Sequence, residues 1–406
     1  MTTPNLFPQL GGPPPLTEPI LPKHLPCEVP RIVSAYAIAL DAELAAVEDY
    51  VRCQTQPKAV RDVAARHVVT SRVVGFLFSA LLNMEHCLGI TPIHRIATEV
   101  TSASNHTEIY AVGTRYIDHL ICSFRTNTSA TRPPSTHPSR PSMTELEDML
   151  VDAIKTSAAD HSSARTRALA RDAFHCMVTN TINAHSFYKH DAIKKLQSQT
   201  GAAVRLIQTC HIFNESVLQN IEVDAEFPQE PRRQRAAGAM GILKMFGLTE
   251  VVKRLTSFAS ADVASASGVH DLSNILSLST ELHSAFDELK LAFEPVSGKQ
   301  NTYDIIFAYP QAALGLFGLK NRITLTNFAD PSKFKEPAGG LLELPLPSSE
   351  LLALHAVCAR VAHMSGAAQA LDDLDRDLED TQVLAKDGGS ANLLHMMLSP
   401  LVSATA

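Results

Sequence analysis

From Asn274 to Glu294 the chain reads NILSLSTELHSAFDELKLAFE, and its apolar spacing changes on the way. The first residues, Ile275 to Leu278, fit a loop or buried extended run. Leu282, Phe286 and Leu289 then recur at helical spacing. A strand that feeds directly into a short helix requires both kinds of packing in one unit. The spacing therefore predicts an α+β fold.

A second run has a related character. In LIQTCHIFNES, Leu206 to Ser216, β-type and apolar residues stop at Cys210-His211, and a polar turn follows. The segment AVRLIQTCHIF predicts a strand with His211 near its end. Upstream, RDAFHCMVTN predicts a short strand after a helix, closed by a Thr-Asn turn.

Most of the remaining chain has helical periodicity. Residues 31–125 form a helical region that begins with RIVSAYAIALDAELAAVEDYVRC. One or two helices follow over residues 59–90, up to the Gly-Pro break in CLGITP. Residues 1–30 are proline-rich and are expected to be extended or disordered. Residues 126–143, rich in Pro, Ser and Thr, form a linker and a domain boundary. After the linker, SMTELEDMLVDAIKTSA opens a new helix. DAIKKLQSQTG predicts a helix stopped at Gly201, and EFPQEPRRQRAAGAMGILKMFGL a loop running into a helix. KLAFEPVSGKQNTYDIIFAYP predicts a β-hairpin around Ser297-Gly298. A long amphipathic helix follows LPLPSSE, capped by its serines.

Composition excludes several classes. The 406 residues are 45% hydrophobic and 19% charged, which suits a globular chain with a sizeable core. Net charge is −7, and Trp is absent. Residues 1–142 carry 12 Lys/Arg against 11 Asp/Glu, residues 143–300 carry 16 against 19, and residues 301–406 carry 7 against 12. No segment is a basic arm of the kind that nonspecific duplex binding uses. The seven cysteines are widely spaced, with no CxxC, which argues for a reducing compartment and against a disulfide framework. The N-terminus lacks the basic and apolar regions of a secretory leader, so a cytoplasmic or nuclear location is expected. The most apolar window, Val68–Met84, contains Arg72 and is short for a membrane span.

The order of Cys176 to Asn180, then Cys210-His211-Ile212-Phe213, then Asn274 to Glu294 with its HxxFDxL core, resembles the HNH nuclease family. The likeness is narrower to the HNH-domain proteins of filamentous and mushroom-forming fungi, which share a helix like the one from Leu344-Pro345-Leu346-Pro347-Ser348 through His355 to His363. It covers roughly residues 165–390. The resemblance implies a mostly helical α+β protein whose residues 144–395 hold an HNH-like ββα-metal unit, with a long insertion, a β-hairpin and a long C-terminal helix. It implies metal-dependent hydrolysis of DNA phosphodiester bonds. His211 would be the general base, Asn274 the residue that stiffens the loop, and His283 a ligand for Mg2+ or Mn2+, with Asp287 beside it at i+4. Arg232, Arg233 and Arg235, in PRRQRAA, are the candidate phosphate contacts.

The sequence departs from the family pattern in three ways. Many members carry Asp where this chain has Cys210. The 63 residues from His211 to Asn274 exceed what a compact ββα unit needs, and the CxxC pairs of many members are missing. Two rival readings follow. One is a non-catalytic interaction scaffold on an HNH frame. The other is a zinc-stabilised binding module using Cys176, Cys210, His211 and His283.

Overall fold

The computed structural model describes residues 13–126, 161–214, 217, 231–256, 268–308, 315, 318–327 and 344–380. The expected linker after Thr126, the helix beginning SMTELED and the Ser/Ala-rich stretch at 257–267 lie outside these residues. Five helices come first: α1 (Pro30–Arg52), α2 (Lys58–Asn83), the single turn α3 (Glu85–Leu88), α4 (Thr91–Ser102) and α5 (His106–His119). In α1 the buried residues Ile32, Ala35, Tyr36, Ala39, Ala42, Glu43, Ala46 and Val47 make one stripe at helical spacing. Its alanines let α2 approach closely. Where α5 crosses α2, a Cβ on Gly113 would stand 2.2 Å from the Thr70 carbonyl oxygen, so only glycine fits there.

By length and composition alone α2 could cross a membrane. Its centre contains Arg72, fully buried and paired with Glu43 of α1 at 2.8 Å. Arg72 Nη2 also donates to the carbonyls of Pro15 and Glu18, while Glu43 accepts the backbone N–H groups of Ile20 and Leu21. This network pins residues 15–21 onto the bundle, and Leu21 is buried in its core. The described part of the proline-rich opening segment is thus irregular but docked, because a buried charge pair uses its backbone groups as partners.

The middle of the chain holds α6 (His161–Arg171), β1 (Ile182–Asn183), α7 (Ala184–Lys189), α8 (Asp191–Thr200), β2 (Val204–Arg205) and β3 (Ile207–His211). Gly201 ends α8 in the left-handed conformation, as its sequence predicts. FHCMVTN is not a strand. It forms a turn with one bridge, His175 to Ile182, because Ala173, Phe174 and Asn180 take φ of 46°, 64° and 58° and break the extension.

The 63-residue separation between His211 and Asn274 is an insertion. It contributes α9 (Pro231–Met245) and α10 (Thr249–Thr256). It folds back on the first bundle: Gly238 of α9 lies against the His119 ring, and Phe246 stacks on Tyr116 at 6.2 Å. The chain then returns as β4 (Ile275–Ser279), which pairs antiparallel with β3 from Ile207↔Ser279 to His211↔Ile275. Helix α11 (Thr280–Asp287) follows at once. β3, β4 and α11 form a ββα unit. The expected hairpin is present as β5 (Leu291–Pro295) and β6 (Thr302–Phe307), with β7 (Arg322–Thr324) added at its edge.

The C-terminal helix differs from expectation in two respects. It is two helices, α12 (Ser349–Ser365) and α13 (Ala367–Asp380), bent by 85° at Gly366, which takes φ +89°. Helix α12 is also not amphipathic. Leu351 to Ala362 are all buried, because α2 packs on one side and β5 on the other. The helices before residue 126 and those after residue 344 therefore share one core, with the ββα unit held against it.

Candidate metal centre

Cys210 is the next-to-last residue of β3, and His283 and Asp287 stand one turn apart on α11. Folding brings one ligand atom from each to within 4.8 Å of the others. The Cys210 thiol lies 3.4 Å from Asp287 Oδ1, and His283 Nε2 lies 3.2 Å from Asp287 Oδ2. Cys210 is fully buried and His283 nearly so.

The tautomer of His283 is set from behind. Its Nδ1 sits 2.7 Å from Gln208 Oε1, so Nδ1–H donates to the amide oxygen and the Nε2 lone pair is left for the cluster. Nε2 is buried and makes no hydrogen bond. A thiol sulfur, an imidazole lone pair and a carboxylate thus converge on one point. Zinc fits this donor set: ligand atoms of a tetrahedral zinc are roughly 3.3–3.6 Å apart, and three protein ligands leave a fourth position open. Mg2+ fits less well, because thiolate is a soft ligand and Mg2+ takes hard oxygens.

His211 is not part of this trio. His211 Nε2 instead meets His270 Nδ1 at 3.2 Å, with the rings edge to face at 5.4 Å. Asn274 holds both neighbouring segments. Its Oδ1 accepts from Phe213 N at 2.8 Å, and its Nδ2 donates to the carbonyls of Phe213 and Val269 at 3.1 and 2.9 Å. It is fully buried, and its polar atoms are engaged by backbone. Asn274 is therefore a clamp that sets His211 and His270 side by side. The geometry assigns it no direct part in chemistry. Arg232, Arg233 and Arg235 fall in the first turns of α9, within the insertion. Cys176 is buried away from the trio and accepts the Thr179 backbone N–H at 3.5 Å.

Three supporting residues carry no spacing signal in the sequence: Gln208, His270 and Arg171. Arg171 is fully buried and forms a double-pronged pair with Asp172. It also donates to the carbonyls of Leu272, Ile275 and Pro345, stapling α6 to the start of β4.

The end of α11 is held with similar care. Leu289 takes φ +61° and closes the helix. His355 of α12 lies face to face with Phe286 at 3.7 Å and donates from Nε2 to its carbonyl at 3.1 Å. His363 donates likewise to the Leu289 carbonyl at 3.1 Å, and Thr126 N–H to the Asp287 carbonyl at 3.0 Å. These bonds satisfy carbonyls that a helix end would otherwise leave unpaired. Burial pushes the His355 pKa down to about 4, so the ring is neutral near pH 7 and serves as a fixed donor.

Residues 176–294 match the HNH endonuclease family model. The match covers less than a third of the chain and takes in β3, β4, α11 and β5 up to Glu294. It supports an HNH nuclease domain there, and with it nuclease activity and binding of a divalent metal in general. No curated protein and no solved structure matches the chain. Within the HNH region, the resemblance and the geometry agree on His283 and Asp287 as a pair on one helix, and Cys210 takes the third position.

Proposed function

We propose that the HNH region is a metal-dependent endonuclease that hydrolyses DNA phosphodiester bonds, with Cys210, His283 and Asp287 as the metal ligands. The observation that carries this reading is the convergence of those three donor atoms within 4.8 Å, inside the span matching the HNH family. The thiol shifts the preferred ion from the Mg2+ or Mn2+ of the family expectation to Zn2+. A bound divalent ion supplies charge stabilisation to the phosphate and its leaving oxygen. His211 takes a proton from the attacking water, as a neutral imidazole can near pH 7. His270 holds the His211 ring in place, Gln208 fixes the His283 tautomer, and Asn274 fixes the loops. Arg232, Arg233 and Arg235 remain candidate phosphate contacts in this reading.

A second reading is favoured by the same Cys210: a zinc-stabilised binding module that does not cut. Two measurements on the full chain separate the readings. Elemental analysis counts zinc per chain, and plasmid nicking is followed with Zn2+, Mg2+ and Mn2+. Nicking that His211→Ala abolishes, with zinc retained, supports the nuclease. One zinc per chain and no cleavage with any metal supports the binding module. Absence of both metal and cleavage rejects the two together.

A further inference from the structure

From residue 173 to 211 the chain carries four basic residues, Lys189, Lys194, Lys195 and Arg205, against one acidic residue, Asp191. This is a positive island in a protein of net charge −7. All four basic side chains are exposed, on α7, α8 and β2, and Lys194 is paired with Asp191 at 2.8 Å, a surface ion pair that a phosphate can displace. Among them stands Tyr188, 75% exposed, with its ring edge-to-face against Phe187 at 5.3 Å. Lysines around an exposed aromatic make a surface suited to a phosphate backbone with bases to stack on. The exposed residues Gln199 and Thr200 add polar groups beside them.

The island is joined to the metal centre by covalent and hydrogen-bonded links. Arg205 lies 3.5 Å from Glu281 of α11, and the Leu206 carbonyl accepts the Thr280 backbone N–H at 3.2 Å. Asn183, just before α7, donates to the carbonyl of Ile207 at 3.3 Å. Two residues beyond Leu206 comes Gln208, which holds His283. Five residues of extended chain from Arg205 to Cys210 span roughly 17 Å. At about 3.4 Å per base pair that is about five base pairs of duplex.

We propose that the face formed by α7, α8 and β2 seats the DNA backbone, with Lys189, Lys194 and Lys195 as its phosphate contacts and Tyr188 as its stacking group. This assigns a binding surface to the nuclease reading above and rests on it for the choice of DNA as occupant. It places the main contacts ahead of β3, apart from the arginines of α9.

The test is binding, which needs no cleavage. The full chain is titrated into a fluorescent duplex of about 20 base pairs with a single-stranded overhang of about six bases, in EDTA, at KCl from 25 to 200 mM, and anisotropy is read. The variant K189Q/K194Q/K195Q should bind about 100-fold more weakly at 100 mM KCl. Its plot of log affinity against log salt should be shallower by about 2 to 3, as expected for three lost phosphate contacts. Tyr188→Ala should weaken binding with the salt slope unchanged. K23Q/K58Q/K299Q removes the same charge from exposed positions elsewhere and should leave affinity within about threefold. An unchanged midpoint of urea denaturation shows that the variants are folded. A triple variant that binds like the wild type, or a control that loses as much, overturns the proposal, as does a wild-type chain that does not bind duplex at 25 mM KCl. An acidic protein captured in place of DNA overturns it too. Nicking with undiminished binding by the triple variant would reject this face and keep the nuclease. Binding without nicking would keep the face and reject the nuclease.

Discussion

The helical bundle buries a carboxylate and the ββα unit half-buries another, and they surround them with different chemistry. In the bundle, Glu43 faces the Arg72 guanidinium and two backbone N–H groups. Everything that points at that carboxylate is a donor. At the end of the ββα unit, Asp287 faces the sulfur of Cys210 and the Nε2 of His283, whose proton Gln208 draws to the other nitrogen. The Cys210 thiol donates to one carboxylate oxygen, while the His283 Nε2 lone pair faces the other. The first arrangement is complete without help and holds the fold. The second leaves a lone pair against a carboxylate oxygen, a contact that a proton or a metal cation on Nε2 would relieve. Burial of an acidic group by itself therefore says little about function. The sign of its neighbours separates a structural residue from a site.

The largest expected effect tests the structural half of the comparison. Removing one member of a buried, hydrogen-bonded ion pair costs about 3–5 kcal/mol, because the partner stays buried and uncompensated. Arg72→Ala should lose that much in urea denaturation, and residues 15–21 should become protease-sensitive because their carbonyls lose the guanidinium. A loss below about 1 kcal/mol would show that the pair is not fully desolvated, and the contrast with Asp287 would collapse.

The next effect is set by pH and concerns the support behind the metal centre. His355 has a folded-state pKa of about 4, while an unfolded histidine titrates near 6.5. The unfolded chain therefore binds the proton more readily. The resulting stability is fully present above pH 6.5 and is lost as pH falls from there toward 4, by about 3 kcal/mol. Burial lowers the His363 and His175 pKa values as well, so both add slope of the same sign. His355→Phe keeps an aromatic ring against Phe286 and removes the titration. Its stability should fall less steeply between pH 6.5 and 4 than that of the wild type. Equal slopes in the two proteins would show that the ring is not buried in a neutral state.

The sequence made legible what local periodicity encodes. The strand ending at His211, the strand-to-helix passage through Asn274 to Asp287 and the hairpin around Gly298 each have a repeat of their own. The i, i+4 placement of His283 and Asp287 follows from helix geometry alone. Partners separated by long stretches of chain were not legible. His270 reaches His211 because Asn274 folds two loops together, and nothing in the spacing of those residues announces it. Gln208 reads as an ordinary exposed strand residue, and only the fold shows its amide oxygen meeting His283 of α11. The turn at Cys176 read as a strand because its composition is strand-like, while positive φ at Ala173, Phe174 and Asn180 was invisible. Cys210 stands out in the sequence as a departure from the family pattern, and in the fold its sulfur lies within 4.8 Å of His283 and Asp287 donor atoms.

The smallest expected effect is the most discriminating. Asp287→Asn keeps the shape of the side chain and removes its charge. If Asp287 belonged to a closed ion pair like Glu43, the metal-free protein would lose several kcal/mol. If Asp287 faces lone pairs and awaits a cation, the metal-free protein should change by less than about 1 kcal/mol, because an amide can still meet the thiol and loses no buried counter-charge. The effect should then appear only with metal present. Zinc at about 100 times its dissociation constant should stabilise the wild type by about 2.7 kcal/mol, and most of that gain should disappear in Asp287→Asn. The comparison is between two denaturation curves for each protein, with EDTA and with zinc. A large loss in EDTA together with an unchanged zinc increment would place Asp287 in the same class as Glu43. The centre would then be a buried histidine–carboxylate pair and not a site for an ion.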